Sequence, residues 1–174
     1  MGEPICIKKD GEIIQEGAPM YVYPNPANTF VAGFLASPPM NLLEGRLDAL
    51  SNGAIDAVIG DARLQIPASL AAGFQTHHGK AVIIGLRPED FHLSASAARH
   101  AVELTVVAIT TEILGPEVIL VANLAHARGP EVQVRMPRDF LAKPDEAVKL
   151  YFDLSQIQIF DSTTTRALPR QASK

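Results

Sequence analysis

The stretch Gly73-Phe74-Gln75-Thr76-His77-His78-Gly79-Lys80-Ala81 is where the chain comes nearest to a phosphate cradle. Such a cradle needs two glycines with four residues between them, then a lysine and a hydroxyl, after a strand and at the start of a helix. Here five residues stand between Gly73 and Gly79, and Ala81 sits where the hydroxyl is needed. An apolar run follows the stretch instead of preceding it. It reads as an exposed loop with glycine turns. His77 and His78 raise the question of a metal. Neighbours on an extended chain point to opposite faces, and no cysteine or carboxylate cluster stands beside them, so they read as a solvent-exposed pair. No nucleophile, base and orienting group fall into a pattern. The expectation is a chain with no catalytic, cofactor-binding or metal residues.

Three other constellations suit contact better than catalysis. Arg87-Pro88-Glu89 is the best marked. Arg87 ends an apolar run, so its stem should pack and its guanidinium should need a carboxylate or carbonyls. Pro88 fixes the start of a turn, and Glu89 or Asp90 could cap amides there. This reads first as a knot that pins the turn, with a direct ligand or partner role as the alternative. Ser37-Pro38-Pro39-Met40-Asn41 is a contact surface, a rigid bend, or both. Gly115 and Pro116 form a turn, and Glu117 just after it could face a partner.

Composition narrows the class. Nearly half of the 174 residues are apolar (47%), enough for a real core. The formal net charge of -4 argues against a nucleic-acid binder. The lone Cys6 has no internal partner for a disulfide, which fits a reducing compartment, and it reads as a small buried hydrophobe. Met1-Gly2-Glu3-Pro4 does not look like a signal peptide, and no apolar run reaches the ~20 residues that span a bilayer.

The elements that must position these residues are mostly strands. Ile5 to Lys9 and Glu12 to Glu16 flank Asp10-Gly11, a hairpin turn pair. A two-stranded hairpin is marginal alone, and no sheet nearby offers support. A short helix follows, with Asn25 as its cap and Pro26 at its first position. Phe30, Val31, Phe34 and Leu35 share a face, expected either to pack or to form an exposed patch. Pro38-Pro39 ends it. Met40 to Phe160 reads as all-β. Ile55–Ile59 and Arg63–Ile66 flank Gly60-Asp61, and one helical turn lies within 67–73. Further runs cover 81–86, 102–113, 118–124, 131–136, 148–154 and 156–160, the fourth of these alternating cleanly. After Asp161 the chain is polar and expected to fray. The fold class expected is mainly β, a small barrel preceded by a hairpin and one short α-helix.

Three segments carry a resemblance. Asp10 to Pro19 resembles the last hairpin of an ABC-type nucleotide-binding domain. Pro26 to Asn41 resembles the linker helix of the maltose and glycerol-phosphate group of importer ATPases. Gly85-Leu86-Arg87-Pro88-Glu89-Asp90 resembles the signature of the OB-like (TOBE-type) regulatory barrel of that group. Ile113 to Glu117 and Ile159-Phe160-Asp161 are weaker echoes, and Asp161-Ser162-Thr163-Thr164 departs from the group's usual Thr-Gly close. The phosphate loop, signature sequence, Walker B carboxylate and switch histidine of the family have no counterpart here. Met1 to Ile5 is similar to the segment just after that histidine.

The resemblance implies a division into 1–39, an edge of the ATPase domain, 40–165, the regulatory barrel, and 166–174, a flexible tail. It implies a regulatory and dimerisation module for import of sugar-type solutes, without hydrolysis of its own. ATP and Mg would bind the missing domain. The implied partners are a second copy, the transporter's membrane subunits and a regulatory protein. The implied location is cytoplasmic, at the inner face of the membrane. The alternative is a barrel that binds an oxyanion such as molybdate, with Ser94, Ser96, Thr110 and Thr111 as candidate ligands.

Overall fold

The computed structural model describes residues 3–126 and 128–170. Met1-Gly2 of the segment noted above, and residues 171–174 of the expected tail, lie outside the described residues. Along the chain run β1 (Ile5–Lys9), β2 (Glu12–Gly17), α1 (Pro19–Val22), α2 (Thr29–Phe34), β3 (Asn41–Ala49), β4 (Ile55–Ile59), β5 (Ala62–Ile66) and α3 (Ala68–Ala71). Then follow β6 (Ala81–Leu86), β7 (Phe91–His92), β8 (Ala101–Leu114), β9 (Glu117–Leu124), β10 (Glu131–Met136), β11 (Ala147–Asp153) and β12 (Gln158–Asp161). Short 3-10 turns join several of them.

The opening hairpin forms as expected. Asp10 and Gly11 both take positive φ, 51° and 85°, the pair that a two-residue hairpin turn of the right twist requires. β1 and β2 make a sheet of their own. Helices support it, not a third strand: Ile7, Val22 and Val31 are buried together, with Ile5, Ile14, Phe30 and Leu35 against them. Cys6 is exposed, not buried, because it falls on the outer face of β1.

The helix cap is Asn28, not Asn25. The Asn28 side chain accepts from the Val31 amide at 3.0 Å. Asn25 instead closes α1, its backbone amide donating to Val22 O at 3.2 Å and its side chain to Tyr21 O at 3.0 Å. α1 therefore lies ahead of the expected helix, and α2 starts at Thr29 instead of Pro26. The apolar face of α2 is split. Val31 is fully buried, whereas Phe34 is 67% exposed and stacks on Phe30 with centroids 5.9 Å apart.

The remaining strands form two five-stranded antiparallel sheets, ordered β12-β6-β3-β4-β5 and β10-β9-β8-β11-β7. Their inner faces share one core. Leu43, Leu47, Ile84 and Leu86 enter it from the first sheet, Leu104, Val106, Leu120 and Phe152 from the second. The chain leaves the first sheet at the end of β6, builds the second, and returns as β12 beside β6. Residues near Arg87 thus stand at the crossing between sheets. β3, at the centre of its sheet, has no counterpart in the sequence reading. Glu44-Gly45-Arg46 interrupts its apolar pattern, and Gly45 is there because there is no room for more. A Cβ at Gly45 would lie 2.4 Å from Val58 O and 2.6 Å from Ile84 Cδ1.

The stretch after Asp161 does not fray within the described residues. The Asp161 carboxylate accepts from the Thr163 and Thr164 amides at 2.9 and 2.7 Å, which turns the chain back. These bonds hold its carboxyl below the usual range. The strap that follows runs between the N-terminal segment and β12. Thr29 N donates to Thr165 O, Ala167 N to Ala27 O, and Leu168 N to Ile159 O. Polar composition misled because backbone groups make these bonds.

Gly45→Ala should destabilise the fold by about 1–3 kcal/mol, since the clash is with backbone that has little freedom to move. A lower urea midpoint with an unchanged slope is the expected reading.

Candidate functional site

Arg87 lies at the end of β6 and is 4% exposed. Its Nη2 donates to the Tyr23 carbonyl, and its guanidinium lies 3.8 Å from the centre of the Tyr23 ring. The expected carbonyl partner is therefore present, supplied from 64 positions earlier. Pro88 is buried and opens a 3-10 turn, with Asp90 N donating to Arg87 O at 3.1 Å. Neither acid caps that turn. Glu89 accepts from the Tyr23 hydroxyl. Asp90 is half-buried, and its buried Oδ2 lacks a hydrogen-bond partner among the described residues. Burial, then the charge of Glu89, pushes the Asp90 carboxyl up to about 7, against the pull of Arg87. Burial and the bond to Glu89 also raise the Tyr23 hydroxyl.

The next carbonyl, Pro24 O, accepts from Gln158 Nε2 at 2.9 Å and from Arg170 Nη2 at 2.6 Å. Tyr23-Pro24 is thus gripped from β6, from β12 and from the strap.

The bend at 37–41 makes a second set of ties. Asn41 opens β3. Its Nδ2 donates to Leu86 O at 2.9 Å and to Gln133 O at 2.9 Å, and its Oδ1 accepts from Gln133 N at 2.8 Å. One side-chain amide thereby pairs with the outer edge of β10 as a strand would, and joins the two sheets. The Ser37 carbonyl accepts from Arg135 Nη2 at 3.1 Å, and Arg135 Nε lies 3.5 Å from Glu117 Oε2. Met40 is buried with Ala32 and Phe160. Pro38 follows a cis peptide bond, and Pro39 leads into β3.

Of the sequence candidates, Ser37, Asn41, Arg87, Glu89 and Glu117 therefore enter one network of ties around the junction of segment 23–41 with both sheets. Gly115 does not. It sits at the tip of the β8–β9 hairpin, with φ +66°, beside the exposed Ile113 and Leu114. Tyr23, Gln133, Arg135, Gln158 and Arg170 escaped sequence reading. Their partners lie far along the chain, and no local spacing marks them. A groove of about 450 Å³ opens beside this network, lined by Glu89, Phe91, His92, Ser94, Arg135 and Met136 among others.

Residues 72–77 form a 3-10 turn with Phe74 buried in the core, which is no phosphate cradle. His77 is half-buried and lies 3.5 Å from Asp161, so it is not part of a loose exposed pair. No group of three metal-ligating side chains occurs among the described residues. Three of the four oxyanion candidates are engaged by protein: Ser94 with the Ser96 hydroxyl at 2.8 Å, and Thr111 with Ala142 O at 3.3 Å.

This architecture is that of an OB-like β protein. Residues 37–91 match the MalK OB fold domain and residues 84–160 match the TOBE domain. The chain belongs to this family of MalK-type OB-fold and TOBE domains from ABC transporter ATP-binding subunits. It is 32% identical over 95% of its length to the sn-glycerol-3-phosphate import ATP-binding protein UgpC of Paraburkholderia xenovorans. It is 34% identical over 97% of its length to the ABC transporter ATP-binding protein YcjV of Escherichia coli K12. The chain spans 44% of the length of each of these relatives. In fold it is similar to the molybdate-bound cytoplasmic protein ModG, with a TM-score of 0.51 and 18% identity, over 74% of this chain and 96% of that one. Among the described residues no helix is long and apolar enough to cross a membrane.

Replacing Asn41 by alanine would strand the Gln133 amide and two carbonyls at once. Asn41→Ala should cost about 1–3 kcal/mol, measured by urea unfolding. Amide exchange at Gln133 should quicken more than at Val121, its neighbour on β9.

Proposed function

We propose that this chain is the regulatory and dimerisation module of an ATP-binding subunit for import of sugar-type solutes, without ATPase activity of its own. The network around Arg87 and Asn41 supports this reading best. It fixes the orientation of segment 23–41 on both sheets, which suits a module that transmits position and performs no chemistry. Two copies in contact away from the ATP sites would raise the effective concentration of those sites. The module biases open against closed states if its contacts differ between them. ATP and Mg would be held outside this chain. The partners in this reading are a second copy, the transporter's membrane subunits through the ATPase domain, and a regulatory protein, with no nucleic acid. The setting is the cytoplasmic face of the membrane, and the division into 1–39, 40–165 and 166–174 belongs to the same reading.

Light scattering on the pure chain should give a homodimer at micromolar concentration, and a strict monomer would count heavily against the reading. No ATP turnover should be measurable, and any would overturn the no-hydrolysis half.

The likeness in fold to ModG favours one second reading, a small barrel that binds an oxyanion. Ser94, Ser96, Thr110 and Thr111 would be its ligands. Calorimetric titration with molybdate and sulfate decides it: the absence of heat with both removes this reading.

A further inference from the structure

The strap after β12 is seated as a strand would be. Residues 165–168 lie between segment 27–29 and the outer edge of β12. Asn28 and Arg166 face each other as an antiparallel pair, as do Phe160 and Ala167. Thr29 N donates to Thr165 O at 3.1 Å, Ala167 N to Ala27 O at 3.0 Å, and Leu168 N to Ile159 O at 2.8 Å. The seat is shaped for this occupant. Leu168 is 9% exposed and joins the shared core. A Cβ at Gly73 would lie 1.8 Å from Pro169 O, so glycine there leaves the strap its room. Arg170 Nη2 ends the strap on Pro24 O at 2.6 Å. None of these contacts depends on which copy of the chain supplies the strap. What holds the strap to its own copy is the turn of 162–165. Ser162, Thr163 and Thr164 are exposed. Asp161 O accepts from the Thr165 amide at 2.8 Å, the Asp161 carboxylate holds the Thr163 and Thr164 amides, and the Ser162 hydroxyl donates to Ala81 O at 2.9 Å. The turn closes on Thr165 at φ +59°. A β-branched residue is strained in that left-handed region, where glycine would be at ease.

We propose that the strap is an exchangeable strand that joins two copies of the chain, the strap of each taking the seat between segment 27–29 and β12 of the other. This rests on the pairing proposed above and names what holds the pair. The fit of the occupant is already on view, because the chain's own strap fills the seat. Exchange keeps every contact of the seat and changes only the turn. In the closed form Thr165 is held at positive φ. In the exchanged form the turn opens into a link between copies, and Thr165 relaxes to an extended conformation. A short hinge under strain favours that outcome. The bonds that opening gives up, at Asp161 and Ser162, are exposed, and water replaces them at little cost. Against exchange stands the freedom lost when two chains become one particle. The closed form therefore holds at low concentration, and the exchanged pair gains as concentration rises.

Disulfide trapping in the whole chain tests it. Ala27 and Ala167 are antiparallel neighbours, and cross-strand neighbours lie within reach of a disulfide. Cys6→Ser first removes the exposed native thiol. Ala27→Cys and Ala167→Cys in one chain then bond within that chain in the closed form and between chains in the exchanged form. After equilibration and oxidation, covalent dimers on a non-reducing gel should be scarce at dilution and grow with concentration. Adding Thr165→Gly lets the turn close without strain and should lower the covalent-dimer share about tenfold. Disulfides that stay within one chain at every concentration would overturn the proposal, as would a share unmoved by Thr165→Gly. The wild-type chain guards against variants that fail to fold. In a mixture of carbon-13-labelled and unlabelled wild-type chains, NOEs from Leu168 of one chain to Ile159 of another support exchange. Light scattering on the same samples separates the two readings. A dimer whose contacts at Leu168 are all intrachain overturns exchange and leaves pairing in place, whereas a strict monomer overturns both.

Discussion

A guanidinium taken out of water needs partners, and most of this structure is arranged around that need at Arg87. The residue stands where the chain leaves one sheet for the other, so its stem packs in the core and its head has no route to solvent. A carbonyl and an aromatic face meet it, both from Tyr23. Stacking and a directed hydrogen bond are what a planar arginine head does well and a lysine would not reproduce. Once Tyr23 is fixed, Pro24 is presented to Gln158 and Arg170, and the hairpin and helices ahead of the barrel take their place. Arg87 is thus the first of several ties, with Gln158, Arg170 and the strap, that hold segment 23–29 against the barrel.

The second constraint is an open sheet edge. β10 ends its sheet, and an uncovered edge carries amides and carbonyls that seek partners. Asn41 closes it at Gln133 with both halves of its amide, and Arg135 is drawn to Ser37 and Glu117 just beyond. The bend at 37–41 therefore does more than redirect the chain. It ties the two sheets together at their seam.

Local chemistry was readable in the sequence, and long-range pairing was not. Asp10-Gly11 and Gly60-Asp61 announced their hairpins, and Val132, Val134 and Met136 announced the buried face of β10, because turns and pleats are written over a few neighbouring residues. Arg87 could be read as needing a carbonyl, since burial of its stem follows from the run before it. Which carbonyl could not be read. The partners of Arg87, Asn41 and Arg170 lie 64, 92 and 146 positions away, and no periodicity links them. β3 was missed because Gly45 hides its pattern, and Gly45 is there because Val58 comes so close. The cap is Asn28 and not Asn25 because Asn25 is turned back onto Tyr21 and Val22 of the preceding helix. The strap looked too polar to be ordered, yet main-chain groups order it.

That strap has a consequence for how the protein comes into being. Synthesis delivers Pro24 146 positions before Arg170, yet the two hold each other. The hairpins of both sheets join neighbours in sequence and can form as they emerge. The grip on Pro24 cannot, because it waits for a residue made 146 positions later. The segment around Pro24 therefore settles fully only after Arg170 has emerged. Until then the segment is held only by its earlier-made contacts, and this interval is when a newly made chain is most open to wrong associations.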